Sequence, residues 1–566
     1  MFASLENEAQ KILLTRWGIQ RVPAVWEPPK DPAHGDLATS IALRVAKTAG
    51  MDPRRVAEEL AKDIALSPSV EKAEVAGAGY VNVWLKPATL LEALQTTVAL
   101  CKPKEAKKGE APVIIEYSQP NIAKPLGVHH IIGTSLGQAL VNLYKHAGYS
   151  VISWNYIGDW GTQFGKLAVA YERWGGGKPV LQYTLDELLD LYVKFHAEVE
   201  KDATLEDQGR EAFRKLEQGD TQLRAFWKDV VSVTKASLTD LYTKLHVSFD
   251  LDIGESFYED KMEPILEAGK KKTVFKQGEG GSTIVEFPAE TNLPPYLVQK
   301  SDGATLYSTR DIAQMRYRID TYHPQAIYIL TDIAQKMHFE QLVETCKQLE
   351  WELPAFENVL FGRMRFVDKS MSTRKGNVLK LEHVLDEAVA RAQSIIDERG
   401  DAIQTDNPKE LAEMMGVGSL VYGILSQNRK MDMIFDWDKM LSFEGNSAPY
   451  LQYTYARARS VLRKAEVGDD LSPPKVDAFT PNERLLLTRL LQFGAALEEA
   501  RAEHLPHKLA NYLYQLCQDF NLFYNTEQML QAEEPQRSLR LFLTSLTSVV
   551  LRTGAELLTL RVPERM

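Results

Sequence analysis

One segment constrains the fold of this chain more than any other. A short apolar run, VIIEYS (113–118), is followed by an irregular loop, a helical pattern and a second apolar run, VISWNYIG (151–158). The helical pattern rests on Leu136, Leu140 and Leu143, which repeat at the spacing of one helix face. Strand, loop, helix and strand in this order are half of a doubly wound parallel sheet. Ligands of such sheets bind at the carboxyl ends of the strands, so the loop after the first strand is the expected binding site.

The 566 residues suffice for about three or four domains. Residues 1–104 combine amphipathic helical patterns with strand-like segments around a glycine turn, which predicts a small α+β domain. The pattern of strands and helices in residues 105–380 predicts an α/β doubly wound, Rossmann-type domain, with a helical, charged insertion at about 167–295. In residues 381–566 strands are scarce and amphipathic helices follow one another, so an all-α bundle is expected.

Composition and charge exclude several classes of protein. No run of about 18 apolar residues is present, so no membrane-spanning helix is expected, and the acidic, amphipathic N-terminus is unlike a secretion signal. Cys101, Cys346 and Cys517 lie far apart without CxxC spacing, which disfavours disulfides and a structural zinc site and favours a cytoplasmic location. No metal site is predicted. The net charge of −11 disfavours nucleic-acid binding over the whole surface but is compatible with local basic faces.

The loop QPNIAKPLGVHH (119–130) is the first candidate site. The chain has no GxGxxG opening a βαβ unit, and in GDWGTQFGKL (158–167) a leucine occupies the Ser or Thr position of a P-loop. His129 and His130, however, directly precede a helix, where free backbone N–H groups and the helix dipole favour a phosphate. Lys124 can add a positive charge. Local capping or packing by the two histidines is the alternative.

The segment KSMSTRKGNV (369–378), near the end of the sheet region, is the second candidate site. It concentrates Ser, Thr, Arg, Lys and Gly in a predicted loop. Such a loop can close on a triphosphate and supply positive charge as the transition state develops. A basic surface turn is the alternative.

Several segments resemble those of one known family, the class I arginyl-tRNA synthetases, and the resemblance extends over nearly the whole chain. The segment IEYSQPNIAKP is similar to the one leading into the family's HIGH signature, and GDWGTQFGKL is among its most specific strings. Four further segments follow in the family's order: YSTRDIA (307–313), MSTRKGN (371–377), GNSAPYLQYTYARARS and the terminal VPERM. Six matches in the right order identify the family more strongly than any one of them.

The resemblance implies a reaction in two steps. Arginine and ATP form arginyl-adenylate, and the arginyl group then passes to the 3′ end of tRNA(Arg). L-arginine, ATP with Mg²⁺ and tRNA(Arg) are therefore the expected partners, without a tightly bound cofactor, and a monomer is expected. Positioning and charge stabilisation supply the rate of such a reaction, so no covalent nucleophile is required.

The family's functional positions can be carried over residue by residue. The positions implied for catalysis are Lys124, His129, His130, Ser372 and Lys375. Those implied for ATP binding are Pro120, Gly127, His129, His130, Gly133, Met371, Ser372 and Lys375. Those implied for arginine binding are Glu116, Ser118, Asn121, Glu255, Tyr307, Asp311 and Gln335.

The arginine positions suit the chemistry of a guanidinium group, which binds carboxylates in a fork geometry and stacks on aromatic rings. Tyr307 and Asp311 lie four residues apart at a predicted helix start, so both side chains can face one pocket. A surface carboxylate is the alternative for any single acidic residue. A site that forms hydrogen bonds to a charged, forked group discriminates against amino acids that lack this group by a factor of roughly 10⁴ or more. No editing domain is therefore required, and the insertion is expected to be structural and to face the tRNA.

The first signature departs from the family's usual His-Val-Gly-His. With PNIAKP aligned, Gly127 occupies the first His position, His129 the Gly position and His130 the second His position. A glycine in place of His129 would let adenine lie close to the backbone. If residues 127–130 are helical, His129 points away from residue 127 and cannot replace the missing imidazole. If 127–129 are extended, His129 can reach the same phosphate or ribose.

The second signature departs as well. Met371 and Ser372 match KMSKS, but Thr373 stands at the position of the second lysine. The resemblance implies that Lys124, just before the first signature, substitutes for that lysine.

The resemblance also implies tRNA contacts in the terminal domains. The helical C-terminus resembles the anticodon-binding domain named after Asp-Ala-Leu-Arg, and the N-terminal domain resembles one that contacts the outer corner of the tRNA. The predicted core face of YLQYTYARARSVLRKA comprises Leu451, Tyr455, Ala458 and Leu462. The candidate tRNA contacts are Arg459, Arg463, Tyr524 and Met566. Solvation of the arginines and core packing of the tyrosine are the alternatives.

Three functions remain open at this point. The arginine positions, Lys124, His130 and the second loop favour an active arginyl-tRNA synthetase with a rearranged signature. A non-catalytic tRNA-binding relative and another class I synthetase or nucleotidyl transferase are the alternatives. The zinc-binding cysteines of cysteinyl enzymes are absent. ATP–pyrophosphate exchange with arginine, with and without tRNA, separates the three.

Overall fold

A computed structural model describes residues 2–20, 22, 25–29, 31–367, 379–469 and 472–566. The strands are β1 (Leu37–Thr39), β2 (Val70–Ala76), β3 (Tyr80–Leu85), β4 (Val113–Glu116), β5 (Val151–Asn155), β6 (Leu251–Asp252), β7 (Phe275–Gln277), β8 (Thr283–Val285), β9 (Tyr296–Gln299), β10 (Ala326–Asp332), β11 (Ala355–Phe361), β12 (Met364–Phe366) and β13 (Met433–Phe435).

The helices begin with α1 (Phe2–Trp17), α2 (Ile41–Ala49), α3 (Pro53–Ile64), α4 (Pro87–Leu100), α5 (His130–His146), α6 (Thr162–Trp174) and α7 (Leu185–Val199). They continue with α8 (Thr204–Glu217), α9 (Thr221–Lys244), α10 (Met262–Lys271), α11 (Tyr307–Tyr322), α12 (Lys336–Gln348) and α13 (Leu381–Arg399). The last are α14 (Pro408–Leu425), α15 (Trp437–Met440), α16 (Ala448–Lys464), α17 (Pro481–Leu491), α18 (Phe493–Ala502), α19 (His507–Thr526) and α20 (Gln536–Leu557).

The N-terminal part is a small mixed unit, in agreement with the sequence pattern. Its antiparallel sheet has the order β1-β3-β2, and β2 and β3 are joined by the expected glycine turn, in which Gly77 has a φ angle of 55°. Helices α2 and α3 bury one face each, for example Val45 and Leu60.

A five-stranded parallel sheet in the order β11-β10-β4-β5-β6 forms the centre of the molecule. All four residues of β4 are buried, because parallel strands are covered on both faces. In chain order β5 and β6 extend the sheet on one side of β4, whereas β10 and β11 extend it on the other. The strand order therefore reverses between β4 and β10.

The segment predicted as an insertion contains one element of the sheet itself. Helices α7, α8 and α9 project between β5 and β6, as the helical, charged pattern indicates. The chain then returns to the sheet at β6, where Leu251 pairs with Trp154, and this two-residue strand divides the predicted range of 167–295. The predicted glycine hairpin is present beyond it as the antiparallel pair of β7 and β8.

The C-terminal helices from α16 onward pack into a bundle that shares one continuous apolar core with the N-terminal unit and the sheet; Leu60, Leu140 and Leu513 all belong to it. A polar contact fixes the bundle to the sheet: the Tyr144 hydroxyl lies 2.8 Å from Nε2 of His504, whose Nδ1 lies 2.9 Å from a Glu357 oxygen. Within the described ranges, each helix is too short or too polar to span a bilayer.

A buried ion pair lies in the core beside the end of β4. Arg318 of α11 donates from Nη2 to Oε2 of Glu116, and the side chains of Arg318 and Glu116 are 0% and 2% exposed. The Arg318 guanidinium also lies 4.3 Å from the centroid of the Trp154 ring. Each charge is tolerated in this environment because the other is present.

Replacing Arg318 by methionine is expected to lower the free energy of unfolding by roughly 3–5 kcal/mol, because Glu116 would be left buried without its cation. Arg316 on the same helix is the matched control. It pairs with Asp320 at the surface, so Arg316→Met should change the free energy by less than about 1 kcal/mol. Urea unfolding followed by tryptophan fluorescence measures both, and equal shifts would contradict the prediction.

Candidate active site

Loops at the carboxyl ends of the parallel strands enclose a cavity of about 830 Å³. They follow β4, β10 and β11, and the strand order reverses between β4 and β10. In doubly wound sheets such a reversal opens a crevice that binds ligands. The polar residues that line it include Ser118, Asn121, His129, His130, Asp332 and Gln335.

The loop after β4 has an unusual backbone conformation. Ser118 has a φ angle of 74°, in the left-handed region that residues with side chains rarely adopt. The Pro120 carbonyl accepts from the Gly158 N–H at 2.9 Å, and the Gly158 carbonyl accepts from the Ile122 N–H at 3.2 Å. These bonds tie the loop to the one that follows β5. Strained backbone of this kind concentrates at functional sites, and here it brings Ser118 and Asn121 to the cavity.

His129 and His130 lie at the N-terminus of α5 with their ring centroids 4.1 Å apart. His129 has helical φ and ψ angles of −65° and −23°, and the His130 N–H donates to the Gly127 carbonyl at 2.9 Å. The sequence leaves open whether the backbone before α5 is helical or extended. In the structure it forms a turn that continues into the helix. His129 is helical, yet both imidazoles line the cavity.

The His130 ring is a neutral hydrogen-bond donor at physiological pH. Burial lowers the pKa of His130 to about 4, with a smaller contribution from His129. Nδ1 of His130 lies 3.0 Å from the Gly127 nitrogen and 3.1 Å from the Gly127 oxygen; in the tautomer that accepts from the Gly127 N–H, the neutral ring carries its proton on Nε2. Burial also lowers the pKa of His129, against the opposing effect of the Asp332 carboxylate. An Nε2–H group beside a helix N-terminus suits a phosphate or a ribose hydroxyl.

A second group of polar side chains surrounds the start of α11. Oδ2 of Asp311 lies 2.7 Å from Nε2 of His338, and the Tyr307 ring, 60% exposed, lies 5.1 Å from the His338 ring. Oε2 of Glu255 lies 3.2 Å from Nε of Arg310, within ion-pair distance although the two groups are not aligned as a hydrogen bond. Two carboxylates and an aromatic ring are thus grouped where a guanidinium could bind.

The Glu255 carboxyl titrates near neutrality. Burial raises the pKa of Glu255 to about 7; the Arg310 guanidinium lowers it, and the negative charges of Asp311 and Asp159 raise it further. A cation bound beside this carboxyl would favour its ionised form.

Asp159 supports this cluster, although sequence reasoning gave it no role. Its carboxylate accepts from the Ser256 N–H at 2.8 Å and from the Ser256 hydroxyl at 2.7 Å, which holds the loop that carries Glu255. A Cβ atom at Gly254 would lie 2.5 Å from that carboxylate, so glycine is required for the close approach. The distinctive string GDWGTQFGKL contains Asp159 and was the only signal that could have pointed to it.

The catalytic-domain model described as "tRNA synthetases class I (R), catalytic domain" matches residues 90–437, more than half of the chain. The chain belongs to the class I arginyl-tRNA synthetases. The "Arginyl tRNA synthetase N terminal domain" matches residues 4–85, and the "DALR anticodon binding domain" matches residues 451–566. The family resemblance predicted from the sequence is thereby confirmed.

Curated arginyl-tRNA synthetases are similar over almost their whole length. The arginine–tRNA ligase of Fusobacterium nucleatum is 38% identical, with 94% of this chain and 93% of the relative covered. That of Alkaliphilus metalliredigens is 37% identical, with 95% of each covered.

Two solved arginyl-tRNA synthetase structures share the fold. The one from Plasmodium falciparum has a TM-score of 0.82 at 23% identity and covers 100% of this chain and 99% of its own. The one from Thermus thermophilus has a TM-score of 0.77 at 24% identity and covers 100% of both chains. The predicted fold class is confirmed.

The structure brings many of the residues implied by the synthetase family to two places. The cavity is lined by Ser118, Asn121, His129, His130, Gly133 and Gln335. The cluster at the start of α11 contains Tyr307 and Asp311, with Glu255 beside them. Pro120 and Gly127 contribute backbone hydrogen bonds to the loop and the turn that border the cavity. Met371, Ser372 and Lys375 lie outside the described residues.

Lys124 does not line the cavity of this synthetase in the position that the structure gives it. Its ammonium lies 5.4 Å from the centroid of the Tyr192 ring on α7, and the side chain is exposed. An exposed lysine on an aromatic ring is held by only about 0.5–1 kcal/mol. Little energy therefore opposes a different rotamer of this long side chain.

Glu116, predicted to contact the amino acid, is buried among side chains of the protein itself. Oε1 of Glu116 accepts from Gln119 at 2.7 Å, and Oε2 accepts from the buried guanidinium of Arg318. Both oxygens are therefore used within the protein. Glu116 supports the loop after β4 from inside the core, because Gln119 belongs to that loop.

Arg459 and Arg463, predicted as tRNA contacts, make bonds within the chain. Nε of Arg459 donates to Oε2 of Glu564 at 3.0 Å, and Arg463 donates from Nη1 to the Glu564 carbonyl at 2.7 Å. They anchor the C-terminal segment to α16, whose predicted core face is buried. Tyr524 is half-buried against the bundle core, and Met566 packs against a small apolar cluster between α13 and α14.

Proposed function

We propose that the cavity between the ends of β4 and β10 is where this arginyl-tRNA synthetase forms arginyl-adenylate. By family the chain is an aminoacyl-tRNA ligase that joins arginine to tRNA with ATP as a substrate. One observation carries the assignment of the site: the neutral donor His130 lies at a helix N-terminus that lines the cavity. Gln335 of the same cavity lies three residues before His338, which contacts Asp311, so the cavity adjoins the carboxylate cluster.

ATP is proposed to lie with its phosphates at the N-terminus of α5. Nε2–H of His130 would donate as negative charge develops in the transition state, with His129 beside it. Lys124, Ser372 and Lys375 are proposed to supply further donors and charge, as their family positions imply. The adenosine is assigned to Pro120, Gly127 and Gly133, and Met371 is proposed to contribute as its family position implies. Mg²⁺ is treated as part of the ATP substrate, because triphosphates usually bring this ion with them.

Arginine is proposed to place its guanidinium between Asp311 and Glu255, with Tyr307 as an aromatic wall. Its amino-acid head would then contact Ser118, Asn121 and Gln335 in the cavity. This orientation aligns the carboxylate of arginine with the phosphates at α5, and alignment of this kind is the main source of rate in adenylate formation.

The terminal domains are proposed to bind tRNA(Arg). The N-terminal domain is assigned to residues 1–104, the catalytic domain to 105–380 and the anticodon-binding bundle to 381–566. The candidate contacts on the bundle are Arg459, Arg463, Tyr524 and Met566. The protein is proposed to act as a monomer in the cytoplasm.

ATP–pyrophosphate exchange tests the proposal. Exchange is expected with arginine in the presence of tRNA(Arg). Exchange with a different amino acid only would overturn the arginine assignment, and no exchange under any condition would favour a protein that binds tRNA without catalysis.

Arginine binding is expected to tighten by about tenfold as the pH rises from 6 to 8. The direction follows from the raised pKa of Glu255, about 7. Below that pH the free protein holds a proton that must leave before the carboxylate can pair with a guanidinium, and above it the gain levels off. Isothermal titration calorimetry measures the Kd. In Glu255→Gln the dependence should disappear; if it persists, another group is responsible.

A further inference from the structure

His338 connects a buried tyrosine to the carboxylate of Asp311. Nε2 of His338 lies 2.7 Å from Oδ2 of Asp311, and Nδ1 lies 3.0 Å from the Tyr296 hydroxyl. The His338 and Asp311 side chains are 16% and 14% exposed, and Tyr296 is 3% exposed. The family positions carried over from the sequence do not include His338 or Tyr296.

Donors and acceptors can be matched along this chain with Asp311 accepting from His338. Burial raises the pKa of Tyr296, so its hydroxyl keeps its proton and can donate to Nδ1. A neutral imidazole that accepts at Nδ1 carries its proton on Nε2, and it then donates to Asp311. A carboxylate bonded at Oδ2 cannot rotate freely. Its other oxygen, Oδ1, has no hydrogen-bond partner among the described residues.

We propose that His338 is a specificity-determining positioning residue, which with Tyr296 fixes Asp311 so that one carboxylate oxygen is oriented for a planar guanidinium. The proposal rests on the proposed function, in which Asp311 binds the arginine side chain. His338 acts through Asp311, as hydrogen-bond partners of ligating groups do in other sites.

A fixed carboxylate favours arginine over lysine for a geometric reason. The guanidinium is planar and presents its N–H groups in fixed directions, so its bond to a carboxylate depends on the orientation of the oxygens. The lysine ammonium is compact and can rotate its donors to meet a carboxylate in almost any orientation. A carboxylate that is free to rotate therefore loses more affinity for arginine than for lysine.

The first test replaces His338 by leucine, which fills similar space without a donor. The Kd for arginine is expected to rise about tenfold, corresponding to the loss of one hydrogen bond to a charged group. The ratio of the inhibition constant of lysine to the Kd of arginine is expected to fall by about tenfold. In ATP–pyrophosphate exchange KM for arginine should rise while kcat at saturation stays within about twofold, because His338 does not contact the reacting atoms.

A conservative variant separates positioning from packing. In His338→Gln the amide nitrogen can donate from near the position of Nε2, so the lysine-to-arginine ratio should return to within about threefold of the original protein. Tyr296→Phe removes the hydrogen bond to Nδ1 of His338. It should lower the lysine-to-arginine ratio as His338→Leu does, but by a smaller factor. An unchanged ratio in His338→Leu, or equal losses with leucine and glutamine, would overturn the proposal.

Two further variants complete the design. His146 is the matched control: this half-buried histidine of α5 contacts the Leu100 carbonyl at 2.8 Å, away from both proposed subsites, so His146→Leu should leave the ratio unchanged. Asp311→Asn separates the role of Asp311 from that of His338. If it leaves the Kd of arginine unchanged, the proposed function of Asp311 fails. If it weakens binding while His338→Leu does not, only the role of His338 fails.

Discussion

Replacing His130 by asparagine is expected to slow adenylate formation by roughly 10²–10³-fold, the usual loss when one donor to the developing charge is removed. The asparagine Oδ1 can accept the Gly127 N–H as Nδ1 of His130 does, so the turn before α5 is preserved. No donor remains near the position of Nε2. Arginine binding should stay nearly unchanged, because the guanidinium is assigned to Asp311 and Glu255. Single-turnover formation of arginyl-adenylate and calorimetry measure the two quantities.

Glutamine at position 130 keeps the donor and loses the acceptor, the reverse of asparagine. Its amide nitrogen can donate from near the Nε2 position but cannot readily accept the Gly127 N–H, so His130→Gln should retain more activity than His130→Asn. The reverse order would mean that His130 acts by holding the turn and not by donating to the substrate. His129→Ala addresses the rearranged signature: a loss as large as that of His130→Asn would place both imidazoles on the phosphate.

Sequence patterns predict those elements of the fold that depend on residues close together in the chain. The buried face of α5, with Leu136, Leu140 and Leu143, follows from helical spacing, and the hairpin of β7 and β8 follows from strand-like residues around glycines. The start of α11 at Tyr307 also agrees with its local pattern, and that start is what allows Tyr307 and Asp311 to share one side of the helix.

Contacts between residues far apart in sequence have no such signal. Arg318 is 202 residues from Glu116, so the sequence could not reveal that this carboxylate is already neutralised inside the core. Asp159 is 97 residues from Ser256, and β6 is only two residues long. Periodicity cannot detect a strand of that length, which is why the predicted insertion included it. The orientation of carboxylates in the site depends on such distant pairs, and only coordinates supply them.

Replacing Asp311 by asparagine is expected to raise the Kd for arginine by roughly 10²–10³-fold, because removal of one charge from a desolvated, hydrogen-bonded pair costs about 2–5 kcal/mol. Asparagine has the shape of aspartate, so packing at the start of α11 is retained while the negative charge is lost. The Kd for ATP should not change, since the nucleotide is assigned to the N-terminus of α5. Calorimetry with each ligand measures the two constants.

The control for Asp311 lies on the same helix. Asp320 pairs with Arg316 at the surface, and Asp320→Asn should leave the Kd for arginine unchanged. Glu255→Gln shows how the effect of a carboxylate depends on its charge. At pH 6 the Glu255 carboxyl is mostly protonated, so the substitution should change the Kd for arginine little at pH 6 and more at pH 8. Asp311→Asn should weaken binding at both values. If Asp311→Asn binds arginine as tightly as the original protein, the guanidinium is held elsewhere, and Glu255 becomes the carboxylate to examine by the same titration.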